Sequence, residues 1–229
     1  MQRLYSDEAG DQKKWIQSIA AVMIHPEDEA ELTKLLSQES QKYEIKEFKF
    51  SRVRTNAGVV EQTNAMLSVF LWFCALSDVQ MLVISGEDES VHELYEEIFL
   101  LAQSMGSGEI EFCPDTNNAL KRYTKASQLI EYGIVGIHEQ DSQEQLIVQM
   151  MDLVAGITGW LREHYGTYRA RKQSTDRHQQ MDEFTRELHM RCEVVDHMMS
   201  ELWAHSGEVT VTETGLWVVE SERVVVVEY

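Results

Sequence analysis

Cysteine is scarce in this chain: three residues among 229, Cys74, Cys113 and Cys192, far apart and odd in number. Without a CxxC pair they offer neither a disulfide framework nor a thiolate metal site, and core thiols in a reducing cytoplasm are the expectation. Proline is nearly absent, with two residues, while apolar content is ordinary for a globular chain. No long hydrophobic run is present either. The longest, "AMLSVFLWFCAL", falls short of the ~20 residues a membrane span needs and reads as a buried helix. The first residues do not read as a signal peptide, because Asp7, Glu8 and Asp11 precede any useful apolar stretch. Positive charge is also short, with 20 Lys and Arg against 39 Asp and Glu and a formal net charge of −19. That balance argues against a broad basic face for duplex DNA and against an anionic membrane surface. A local basic groove, or acids neutralised by bound cations, remains open.

The pattern of what is present indicates an α/β chain. Residues ~3–7 and ~14–25 read as strands joined by a turn at "EAGDQK". His25-Pro26-Glu27-Asp28 opens a helix, since proline and acids suit a first helical turn. A largely buried helix is expected over ~57–78, then a strand at "VQMLVISG" and a helix over ~88–104. "GEIEFCPD" reads as a strand, "NNALKRYTKASQLIEYG" as holding a helix, and "GIVGIHEQDS" as another strand. A long helix follows, with Ser142 as its N-cap. Helices alternating with short apolar strands predict a mixed sheet flanked by helices and opened by a hairpin. The polar character of "TYRARKQSTDRHQQMDE" sets a boundary near 166/167. Beyond it lie an exposed linker, an amphipathic helix over ~180–204 and a small β meander, with residues 1–166 as the main domain and 167–229 as an extension. The bare edge of the valine-rich last strand would invite aggregation, so burial against the core or a homo-oligomer through the extension is expected.

Four acids occupy comparable places. Asp7 ends the first strand, Asp115 ends the "EIEFC" strand, Asp152 lies in the long helix and Glu47 lies in "EIKEFKF". Ligands collect at the carboxyl ends of strands in open α/β sheets. Carboxylates sharing a pocket raise one another's pKa unless a cation compensates, and oxygen ligands select Mg²⁺ or Mn²⁺. Gln145, Gln149, Asp152 and Gly156 follow 4-3-4 spacing, a polar or small stripe on an otherwise apolar helix. The competing readings are an exposed face for Asp152, an Asx turn for Asp115, a hairpin turn for Asp7 and solvent-facing charge for Glu47. Glu8, next to Asp7 on a strand, should point to the opposite face. Two further signals stand apart. His189, Glu193 and His197 are four apart on one helix and fit either zinc or a surface stripe. "HYGTYRARK" interleaves Tyr165 and Tyr168 with basic residues, as a single-strand binder or an ordinary linker would.

"LYSDEAGD", "EFKFSRV", "FCPD" and "VQMMDLVAGI" occur in an order that resembles the bacterial and phage family known as domain of unknown function 3800. The resemblance covers roughly residues 3–165 and implies a ribonuclease H-like fold. It also implies two-metal hydrolysis of a phosphodiester, with one cation activating water and a second, ~3.5–4 Å away, at the leaving oxygen. Position by position it makes Asp7, Glu47, Asp115 and Asp152 the catalytic and metal-ligating acids, with Lys49 as the base of the second motif. Ala9 stands where the family usually has serine, and a second register makes Glu44 rather than Glu47 the matching acid. Lys49 is the candidate to hold a phosphate, and Arg162, Arg169, Arg171 and Lys172 complete the expected nucleic-acid contacts. Two other readings stay open: a catalytically silent nucleic-acid- or protein-binding module of the same fold, and a hydrolase of a small phosphorylated or nucleotide substrate.

Overall fold

The computed structural model describes residues 1–9, 16–43, 47–87, 89–106, 108–116, 126–141, 143–173, 183–219 and 221–228. Among the described residues, eight strands and five α-helices follow in the order β1 (Gln2–Ala9), β2 (Ile16–Ile24), α1 (Pro26–Ser40), α2 (Ala57–Leu76), β3 (Gln80–Glu87), α3 (Val91–Met105), β4 (Ile110–Pro114), β5 (Ile134–Ile137), α4 (Leu146–Gln173), α5 (Glu183–Ser206), β6 (Val209–Val211), β7 (Trp217–Val219) and β8 (Val224–Glu228). Local chemistry sets several boundaries. Pro26 opens α1, the Asn56 side chain accepts from the Gly58 N–H at the start of α2, and Ser90 with Glu93 forms a full capping box on α3.

Six strands form one mixed sheet in the order β5-β4-β1-β2-β3-β8. β2 runs antiparallel to both β1 and β3, while β4 pairs with β1, β5 with β4 and β8 with β3 in parallel. Strand alternation sorts the side chains into two cores. On one face Leu4, Ile19, Ala21, Met23, Leu82 and Ile84 pack on α3 through Leu94, Tyr95, Ile98 and Phe99. On the other face Tyr5, Ala20, Val22 and Ile24 meet α1, α2, α4 and α5. β1 is therefore a central strand, covered on both faces, with paired neighbours on both sides.

α2 is long and apolar enough to cross a membrane by length and composition alone. Here it packs against α1 and α5, burying Val60, Met66, Leu67, Phe70, Leu71, Phe73 and Cys74 in the larger core. All three cysteines are buried and free.

The C-terminal region departs from expectation. α4 runs on to Gln173, so 166/167 falls inside a helix, two residues past a kink at His164. α5 lies against α2, and β8 is a strand of the main sheet rather than the last of a meander; β6 and β7 form a separate hairpin. The valine-rich strand finds its partner in β3, pairing Met81 with Val224 through Ser85 with Glu228. Of the segment 117–133 expected to hold a helix, 117–125 lie outside the described residues, and the remainder forms two short 3-10 turns at 126–128 and 130–132. Ser142 and Glu44 lie outside the described residues.

Candidate functional site

Asp7 sits near the carboxyl end of β1, paired across the ladder with Ala20 of β2. The parallel register couples Ser6 to Pro114, so Asp7 and Asp115 stand one residue further along neighbouring strands. Both are only 8% exposed. α4 crosses beneath β1 and β2 and carries Asp152 to the same face. The extended backbone turns Glu8 the other way, as alternation requires: its carboxylate accepts a 2.7 Å hydrogen bond from the Tyr95 hydroxyl of α3.

These carboxyls feel one another. Burial, then the charges of Asp152, Glu8 and Asp115, push Asp7 up to about 9, although its Oδ1 accepts the Glu8 N–H at 2.8 Å. Burial likewise pushes Asp152 up to about 6, opposed by Lys49 and reinforced by Glu47 and Asp115. Asp152 Oδ2 is sealed from solvent with no hydrogen-bond partner. An ionised oxygen in that position is costly unless a cation meets it. Among the described residues, however, no group of three or more His, Cys, Asp or Glu side chains stands as a ready-made metal cage.

The stripe on α4 proves to be an interior face. Gln149 is 1% exposed, and its Oε1 accepts the Phe48 N–H at 3.0 Å, fastening the 47–50 segment to the helix. Gly156 lets that segment close in, since a Cβ there would stand 3.0 Å from Phe50 Cβ. Lys49 is thereby held near Asp152 and Asp7. Burial acts to lower its pKa, but Glu47, Asp152 and Asp7 outweigh it and the value is raised.

Glu47 is engaged by cations through both oxygens, Oε1 by Lys49 at 2.9 Å and Oε2 by Arg52. The first of these pairs orients Lys49. One expected contact is corrected. Arg162 cannot meet nucleic acid: its side chain is 1% exposed and reaches Glu228 at 2.8 Å and Glu87 at 3.4 Å, tying α4 to the ends of β8 and β3. The rest of the basic segment is helical, and most of it is committed. Lys172 pairs with Asp196 at 2.9 Å, Arg171 meets His189 Nδ1 at 2.8 Å, and Tyr168 donates to Asp196. Arg169 is exposed. On α5, His189 pairs with Glu193, whereas His197 contacts Ser68 and the Asn64 carbonyl of α2.

A cleft of about 390 Å³ opens beside the acids, lined by Glu8 and Asp152, by Lys49, Phe50 and Ser51, by Gly156, Trp160 and Glu163, and by Arg191. Trp160 stacks on His164 with ring centres 5.0 Å apart and meets Phe50 edge-on. Extending the 4-3-4 spacing past Gly156 reaches Gly159 and Glu163, so this lining was within reach of the helical pattern. Arg191 was not. It arrives from α5 and bonds the Val53 carbonyl at 3.1 Å and Glu187 at 2.8 Å. No protein-family model and no curated protein matches the chain.

Proposed function

We propose that this protein is a divalent-metal-dependent phosphodiester hydrolase acting on nucleic acid, built on a ribonuclease H-like sheet. Three antiparallel strands followed by two parallel ones, with helices on both faces, support that fold reading and the resemblance to domain of unknown function 3800. The observation that carries the function is the convergence of Asp7, Asp115 and Asp152, with one buried carboxylate oxygen of Asp152 left without a partner. Mg²⁺ or Mn²⁺ suits such oxygen ligands. A bound cation there supplies charge neutralisation at the phosphoryl oxygens and a lowered pKa for the attacking water.

The chain's own residues have separable tasks. Asp7, Asp115 and Asp152 hold the ion. Lys49, steered by Glu47, takes a non-bridging phosphate oxygen by point charge. Gln149 keeps the Lys49 segment in register with Asp152 through the Phe48 N–H. Tyr95 fixes the carboxylate of the neighbouring Glu8 through its 2.7 Å hydrogen bond.

Nuclease assays on single-stranded DNA, duplex DNA and RNA with Mn²⁺ test the reading. Wild type cleaves at least one of them, Asp7→Asn and Asp152→Asn do not, and chelation stops the reaction. Cleavage that survives both substitutions sinks it. A second reading, a catalytically silent module that binds nucleic acid, draws on one observation: no described group of acids forms a ready-made cage. Nucleic-acid binding with no cleavage under any divalent cation would favour it. A small phosphorylated substrate is the third, and it would be turned over while every polymer is left intact.

A further inference from the structure

The chain carries far more acid than base, yet Lys49, Arg52, Arg54 and Arg191 gather around one short stretch, residues 47–54. Two of them, Lys49 and Arg191, line the cleft together with the exposed Ser51. The Arg191 guanidinium is fixed on three sides, by the Val53 carbonyl, by Glu187 and by the Phe50 ring 5.4 Å from its centre. Glu163 also faces this region, and Glu47 partly neutralises Lys49 and Arg52. Lys49, Arg52, Arg54 and Arg191 thus stand against Glu47, Glu163 and Glu187 around this stretch, while Asp152 and Glu8 border the cleft from α4 and β1.

We infer that Ser51 and Arg191, beyond the Lys49 that takes the scissile phosphate, form a phosphate subsite beside the carboxylate cluster, holding a backbone phosphate next to the scissile one. The substrate is therefore a single strand of nucleic acid carrying at least two phosphates. The inference rests on the hydrolase reading and gives it a substrate class. A preorganised guanidinium suits a phosphate, and cationic side chains along a cleft are how the backbone of a single strand is tracked. At about 390 Å³ the cleft lies at the small end of ligand sites and suits one nucleotide unit at a time. α5 acquires a purpose by this assignment: it carries the arginine that completes the wall.

The test is fluorescence anisotropy with an end-labelled oligothymidylate across a potassium chloride series, in chelator so that no hydrolysis occurs. Arg191→Gln weakens binding roughly tenfold and reduces the magnitude of the log–log salt slope by about 0.7, the loss of one phosphate contact on a single strand. Arg191→Lys restores the slope. Because Arg191 also braces Val53, an independent variant is needed: Ser51→Glu, at an exposed position, weakens binding without touching that brace. Arg169→Gln, remote from the cleft, changes neither affinity nor slope. Wild-type affinity and slope in both Arg191→Gln and Ser51→Glu overturn the subsite, as does equal weakening by Arg169→Gln. The chelator separates the two proposals. Arg191-dependent binding without metal-dependent cleavage removes only the hydrolase, and cleavage with Arg191-independent binding removes only the subsite.

Discussion

Cation binding should be linked to pH through two carboxyl protons. Asp7 is raised to about 9 and Asp152 to about 6. Between those values Asp152 is ionised and Asp7 keeps its proton, so an ion that uses both must expel one proton. Affinity for Mn²⁺ then rises about tenfold per pH unit, or about 1.4 kcal/mol, across that window. Below about pH 6 both protons are expelled and the slope approaches about a hundredfold per unit; above about pH 9 it levels off. The same shift has a sign for folding. The folded pKa of Asp7 lies above its unfolded value of about 4, so the native state holds a proton that the unfolded chain has lost. The contribution of Asp7 to metal-free stability is therefore full below about pH 4 and is lost as pH climbs through about 9. Isothermal titration in buffers of different ionisation heat counts the protons directly. Asp7→Asn should bind Mn²⁺ weakly and with a flat pH profile in the window. A wild type that binds with no proton release and no pH slope there refutes the reasoning.

Gln149→Leu leaves the buried Phe48 N–H without an acceptor and should cost about 1–3 kcal/mol in urea unfolding, with the Lys49 segment loosened from α4. Gly156→Ala brings a Cβ within 3.0 Å of Phe50 Cβ, and the resulting shift should destabilise by about 1–3 kcal/mol and lower cleavage more than it lowers the α-helical content read by circular dichroism. Arg162→Ala should lower stability by about 2–4 kcal/mol, largely through lost packing, because Glu87 and Glu228 can turn to water; oligothymidylate affinity should not move.

Local pattern carried much of the architecture. Alternation over 2–9 put Asp7 and Glu8 on opposite faces, and the small and polar stripe at Gln149, Asp152 and Gly156 marked the face of α4 that meets β1 and the 47–50 segment. What failed depended on partners distant in sequence. The strand "RVVVVEY" pairs with β3 more than a hundred residues earlier, and nothing in its own composition chooses that edge over a hairpin with β7. "HYGTYRARK" has linker composition, but Tyr168, Arg171 and Lys172 gain partners on α5 that hold it helical. Arg162 resembles its basic neighbours until β3 and β8 bring Glu87 and Glu228 beneath α4. Glu47 was legible as an acid near the site, but not its capture by Arg52 five residues away.

The central claim is that Asp7, Asp115 and Asp152 share a divalent cation. Anomalous diffraction from crystals soaked in Mn²⁺, collected near the manganese edge, addresses it directly. A peak about 2.0–2.3 Å from carboxylate oxygens of all three residues is the predicted result. Crystals that show manganese elsewhere, or none at these acids at saturating concentration, contradict it.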